Sequence, residues 1–254
     1  MRTLVVTAVT AERDAAVSRL GQATNLPDLP HDAVAAGEVI AVAGGVGPVA
    51  AAVATTRMLS ALDRADYPVE LVISAGIGGG FAGVASIGDV VVSRRVAFAD
   101  LGAATDEGFL DLSGLGLAGG APLASPGAAR VAAALTAAGL RPITGTILTL
   151  ATMTGTDTRA AALAKLHPDG VAEAMEGYGV AWAASEHGLP WVEVRAVSNL
   201  IGRRDRSSWD IPAAFTALGA AIAAVGIAES RFADHAAEAE PAAESAQRRA
   251  EGRR

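Results

Sequence analysis

What most restricts this chain is the alternation of short apolar, often β-branched runs with longer small-residue segments of helical character. Residues 3–9, 38–43, 71–74, 89–96, 144–150, 170–174 and 191–198 read as strands. Helical patterns start near Glu12 and cover 49–62, 128–138, 176–187 and 211–228. Such alternation predicts an α/β fold with a mixed, largely parallel central sheet flanked by helices on both faces. The punctuation agrees. Pro48 sits in a first helical turn, where its missing N–H is harmless, and His187, Gly188 and Pro190 close the 176–187 helix. Residues 100–126 show no clear period, and a loop of that length is usually functional or mobile. Residues 1–229 are expected to form one domain, and the Ala/Glu/Arg-rich residues 230–254 a disordered, solvated tail.

Composition removes several classes of function. The chain has no cysteine, so disulfides, thiolate nucleophiles and cysteine metal sites are excluded. Its four histidines lack ligand spacing, and no metal or cofactor is expected. A formal charge of −7, with no basic stripe before the last residues, gives no footprint for nucleic acid. The run 211–228 carries no charge over eighteen residues, but it is mostly Ala and Gly and follows a capping residue, Asp210. A buried helix is expected there rather than a membrane span, which needs about twenty predominantly apolar residues. Met1-Arg2-Thr3 runs straight into the first strand without a leader pattern, so a cytoplasmic protein is expected.

Several motifs are candidates for chemistry, each with an ordinary alternative. Gly78, Gly80 and Gly83 satisfy G-x-G-x-x-G after a strand, yet a β pattern follows where a dinucleotide site requires a helix. The dinucleotide reading is therefore rejected; the glycines either let a ligand approach the backbone or simply pack a turn. In open α/β sheets, ligands bind beyond the carboxyl ends of strands. Three polar residues fall there: Glu12 after the first strand, Glu176 at a helix start, and Asn199 at the end of 191–198. A helix-start acid is also favoured by the helix dipole alone. Arg203-Arg204-Asp205-Arg206, with Trp209 beyond, is either a solvated charge run or a carboxylate-binding group. Signatures of serine hydrolases, P-loop enzymes, zincins and kinases are absent.

Ala174-Met175-Glu176-Gly177 followed by Arg195-Ala196-Val197-Ser198-Asn199 resembles the nucleoside phosphorylase and nucleosidase superfamily. The similarity continues through Thr7–Glu12 (TAVTAE), Gly45–Ala51 (GVGPVAA) and Ser74–Gly79 (SAGIGG), in the family's order over most of residues 3–228. The resemblance implies a nucleoside substrate, no cofactor, no membrane partner and a homodimer or larger assembly. By position, Glu12 would activate the attacking water, Met175 and Glu176 would hold the ribose, and Asn199 would face the purine. Gly78 would lie in the substrate-binding loop. Arg204 or Arg206 would meet a carboxylate on the 5′ substituent, and Asp205 or a water would protonate the base.

Two departures refine this. Adenine-cleaving members carry Asp where this chain has Asn199. An amide donates to a 6-oxo oxygen and accepts from N7–H, so Asn199 argues for a hypoxanthine-type base. Ile77 and Pro48 stand where phosphorylases surround phosphate with polar groups, which favours water as nucleophile. An adenine-specific methylthioadenosine-type nucleosidase, a 6-oxopurine phosphorylase and a non-catalytic nucleoside-binding protein are the alternatives.

Overall fold

In the computed structural model, which describes residues 2–227, the chain follows the expected alternation. The first half contains β1 (Thr3–Thr7), α1 (Thr10–Val17), β2 (Thr24–Asn25), β3 (Val34–Ala36), β4 (Val39–Ala43), α2 (Pro48–Arg64), β5 (Leu71–Gly80) and β6 (Val90–Phe98). Then come β7 (Gly102–Thr105), β8 (Gly108–Asp111), β9 (Leu123–Ala124), α3 (Ala128–Ala137), β10 (Ile143–Thr149), α4 (Asp157–Leu166), β11 (Gly170–Ala174), α5 (Gly177–Glu186) and β12 (Trp191–Leu200). A last helix, α6, occupies 211–227, and Asp210 caps it by accepting from the Ala213 N–H at 2.9 Å. The expected tail, 230–254, lies outside the described residues.

Strand β1 is buried along its whole length because helices cover both faces of the sheet. Val5 faces a core built with Ala16 of α1, Val131 and Leu135 of α3 and Leu218 and Ile222 of α6. Leu4 and Val6 face the other way, into a core shared with Met58 and Leu62 of α2 and Val180 and Ala184 of α5. No helix among the described residues is long and apolar enough to cross a membrane.

The sheet is mixed, in the order β11-β10-β6-β12-β5-β1-β4-β3-β2, and β11 also pairs back onto β5. Five strands, β11, β10, β6, β12 and β5, therefore close into a ring, with β1 continuing the sheet outward. The expected parallel bias meets an even division: β1–β4, β1–β5, β10–β11, β6–β10 and β5–β12 run parallel, and five other pairings in this sheet run antiparallel. Closure is what introduces the β5–β11 and β6–β12 antiparallel contacts.

Two sequence expectations are corrected. Strand β5 was expected to stop at Ser74; it continues through Gly76–Gly80. Lacking side chains, that glycine run lets β5 curve between β12 and β11 where a Cβ would collide. At Gly78 a Cβ would stand 2.8 Å from the Glu173 carbonyl oxygen, and at Gly80 2.9 Å from Val197 Cγ1. Residues 100–126 are not structureless: β7 and β8 form a hairpin there and β9 pairs with β6. The rejection of a dinucleotide loop holds. Gly83 sits in a turn at φ 78° and β6 follows it, so no helix N-terminus points back at a ligand.

The pairing of β12 with β5 slips by one residue: Val197 lies opposite Gly78 but Asn199 opposite Gly79. Ser198 is the extra residue of a bulge. Arg195 packs on the Gly76 and Gly78 side of β5, whereas the Asn199 amide packs on the Gly79 side.

Candidate active site

Glu12 lies in the first turn of α1, buried, with its carboxylate turned inward to the glycine segment of β5. Oε1 accepts from the Ile77 N–H at 2.9 Å and Oε2 from the Ala8 N–H at 3.0 Å. Two backbone donors thus fix the plane of the carboxylate while leaving lone pairs on each oxygen. The neighbouring position must be glycine. A Cβ at Gly76 would stand 2.5 Å from Glu12 Oε1 and 2.6 Å from Arg195 Nη1.

Arg195 is the centre of the site, and it is 1% exposed. Its Nη2 donates to Glu176 Oε2 at 3.0 Å and to Ser74 Oγ at 3.3 Å; its Nε donates to Glu193 Oε1 at 2.9 Å; its Nη1 donates to the Ile77 carbonyl at 3.3 Å. Glu176, at the N-cap of α5, accepts from the Gly47 N–H at 3.0 Å through its second oxygen. Burial opposes the Arg195 charge, but Glu193, Glu176 and Glu12 outweigh it and hold the guanidinium pKa above its ordinary value. One cation therefore faces three carboxylates. Burial pushes the Glu193 carboxyl up to about 7 against the pull of Arg195, and Glu193 Oε2 has no hydrogen-bond partner. Among the described residues no His, Asp and Glu side chains group as a metal site; the guanidinium takes the central cation's place.

Beyond the bulge, Asn199 opens onto a recess that Met153, Thr154, Glu173, Gly202, Arg204 and Trp209 also line. Asn199 Oδ1 accepts from Ser198 Oγ at 2.9 Å and Nδ2 donates to the Leu200 carbonyl at 3.0 Å. One N–H and one acceptor position on the amide remain free for a ligand.

The structure thus brings Glu12 and Glu176 together around Arg195, with Asn199 four residues further along the same strand. Met175 is half-buried beside Glu176. Gly78 admits the close approach of β11 and lies along the stem of Arg195, whereas Gly76 stands against the Glu12 carboxylate and the guanidinium. Arg204 lines the recess with its guanidinium 5.0 Å from the Trp209 ring centre, and Arg206 lies 5.7 Å from the same ring without lining the recess. Asp205 is exposed and does not line the recess. Its carboxylate accepts from Ser207 N at 3.0 Å and Ser207 Oγ at 2.6 Å, which holds it below the usual carboxylate range. An acid that stays ionised at neutral pH is a poor proton donor. Sequence reasoning gave no role to Arg195, Glu193, Glu173, Ser74 or Gly76. A signal for the first two was present: two charged residues spaced i, i+2 in an otherwise apolar strand share one face, and both must be buried.

The fold and site define a class, and the chain belongs to it: residues 31–236 match the phosphorylase superfamily. Among individual relatives, the chain is 46% identical to futalosine hydrolase of Streptomyces coelicolor, over 87% of this chain and 94% of the relative. It is 45% identical to futalosine hydrolase of Acidothermus cellulolyticus, over 90% of this chain and 91% of the relative. A solved futalosine hydrolase mutant from Helicobacter pylori shares the fold, with a TM-score of 0.73 at 18% identity, covering 90% of this chain and 100% of that one.

Proposed function

We propose that this chain hydrolyses the N-glycosidic bond of futalosine, releasing hypoxanthine and the dehypoxanthine product, as a step of menaquinone biosynthesis. The relatives at 45–46% identity support the substrate. The observation that carries the chemistry is the pair of carboxylates, Glu12 and Glu176, set about one buried guanidinium. Water held by Glu12 loses a proton to it and adds to C1′ of the ribose as the C1′–N9 bond opens. Glu176, fixed by Gly47 and Arg195, accepts from the ribose hydroxyls and stabilises the oxocarbenium-like charge. The base leaves protonated at N7, its proton drawn from solvent because an amide has none to give and Asp205 is ionised and engaged with Ser207. Asn199 donates to the 6-oxo oxygen and accepts from the new N7–H. Arg204, on Trp209, is the better placed of the two arginines to meet the substrate carboxylate.

The same cluster argues for water over phosphate. The Ile77 and Gly47 N–H groups, the kind of backbone donors that cradle anions, are already given to Glu12 and Glu176. A phosphate entering there would face carboxylates rather than free donors, so phosphorolysis is disfavoured. Asn199 similarly weighs against a methylthioadenosine-type nucleosidase. The reading extends to a single catalytic domain in a cytoplasmic homodimer or larger assembly. Exposed Val49 and Val53 on α2 and exposed Trp182 on α5, helices that pack together, supply apolar surface for a second copy.

The test is chromatography of free base after incubation with futalosine, inosine and methylthioadenosine, each with and without phosphate. Hypoxanthine from futalosine without phosphate is the expected result. Adenine release, strict phosphate dependence, or tight nucleoside binding with no base released would each overturn it.

A further inference from the structure

Glu173 has no part in the reaction as described, yet it is a buried carboxylate in the wall of the recess that Asn199 opens onto. It stands on β11, 1% exposed, where a solvated acid would gain far more from water. Thr154 holds it through the backbone, N–H to Oε1 at 3.0 Å, and through its hydroxyl, which donates to Oε2. A carboxylate has about four acceptor positions, and Thr154 fills two. The ring closure of the sheet sets Glu173 opposite Gly79, and the absent side chain there makes room for Ile201, whose Cγ2 lies 2.7 Å from where a Gly79 Cβ would stand. One point, where a Gly79 Cβ would lie, is 3.4 Å from both Asn199 Nδ2 and Glu173 Cγ. Both residues line the same recess, so an amide donor and a carboxylate acceptor share one small volume with Arg204 and the ring of Trp209.

Resting on the nucleosidase reading, we propose that Glu173 is the second specificity-determining residue of the base site, accepting a hydrogen bond from N1–H of a 6-oxopurine. Asn199 and Glu173 together then match the whole 6-oxo edge: a donor toward O6 and an acceptor toward N1–H. A 6-aminopurine offers the reverse pattern, a lone pair at N1 and donors at N6. It would set N1 against the carboxylate without a proton between them. Each buried group left unmatched adds to the discrimination, and sites built to bond a substrate N–H reject an analogue lacking it by up to ~10⁴–10⁵. Thr154 is the positioning residue that keeps the carboxylate in plane.

Two measurements test this. In the first, calorimetry compares wild-type binding of hypoxanthine, 1-methylhypoxanthine and adenine, which needs neither turnover nor a variant. Hypoxanthine is expected to bind at least ~10-fold more tightly than 1-methylhypoxanthine, which keeps O6 and N7 but has no N1–H. In the second, Glu173→Gln is compared with wild type on futalosine and on its 6-amino counterpart. The variant is expected to lose ~10-fold or more in kcat/KM on the 6-oxo substrate while holding or gaining on the 6-amino one, and to shrink the 1-methyl penalty. Equal losses on both substrates would mean that Glu173 only supports the Thr154 loop, and equal wild-type affinity for hypoxanthine and 1-methylhypoxanthine would sink the proposal outright. A wild-type protein that releases no base at all would refute the hydrolase reading, while the binding comparison would still decide Glu173.

Discussion

Arg195 and Glu176 come from a strand and a helix start nineteen residues apart and meet at 3.0 Å with both side chains out of solvent. Neither side chain is tolerable there alone, because an unpaired buried charge is costly. Arg195→Gln leaves Glu12, Glu176 and Glu193 without their shared cation. Removing one partner of a buried pair typically costs ~3–5 kcal/mol. The expected outcome is a large fall in melting temperature with loss of hydrolysis. Arg195→Lys should recover stability in part but not turnover, since one ammonium cannot reproduce the separate Nε and Nη2 bonds. Thermal melts beside single-turnover assays check both.

Glu12→Gln keeps the side-chain shape and removes the proposed base. The rate should drop by ~10²–10⁴ with KM little changed, as for other positioned bases. Steady-state kinetics that show near-normal kcat would remove Glu12 from the reaction.

Asn199→Asp reverses what the recess offers the purine. The ratio of adenine to hypoxanthine released from matched nucleosides should rise by at least ~10-fold. An unchanged ratio would place base selection elsewhere in the recess.

Gly76→Ala puts a methyl group between Glu12 and Arg195, which would stand 2.5 and 2.6 Å from it. Displacing catalytic groups by about 1 Å costs ~10²-fold, so a drop of that order in kcat/KM is expected. The matched control is Gly83→Ala. That turn is open, so the change strains only the local backbone at φ 78° and should leave turnover close to wild type.

Glu193 gives the fold a pH dependence whose sign follows from its raised pKa. The usual carboxyl value is 4.5 and the folded one about 7, so between these the folded state holds a proton that the unfolded state has lost. Stability from this group is therefore complete below the unfolded value and falls as pH rises through about 7. Glu193→Gln cannot titrate, so its melting temperature should decline less than that of wild type between about pH 5 and about pH 8. Parallel slopes for the two proteins would show that Glu193 stays ionised in the fold.

Much of this was legible in the chain because alternating strands and helices leave few arrangements. All seven expected strands form, and the Glu176 helix ends near His187 as its Gly-Pro stop requires. Glu12, Glu176 and Asn199 stood out as candidates because each follows a strand and falls at the end where ligands collect, and the structure sets the first two about Arg195. What was hidden depends on register. Nothing in Gly76-Ile77-Gly78-Gly79-Gly80 says that the strand continues, or that Gly76 faces Arg195 and Gly79 faces Asn199. Glu173 was hidden for the same reason. It reads as one acid in a short apolar strand until ring closure sets it beside Gly79. The β7–β8 hairpin escaped because its residues are mostly exposed and carry no two-residue alternation of apolar and polar side chains.

Along an unbroken strand, Arg195 and Asn199 would share one face, since four residues restore the side-chain direction. The single unpaired residue at Ser198 breaks that parity. In the proposed hydrolase one strand then serves both ends of the nucleoside, the guanidinium on the sugar side and the amide on the base side. Pairing Ser198 in regular register, with no residue removed, would leave every side chain of the site in the sequence and still turn the Asn199 amide to the face of Arg195.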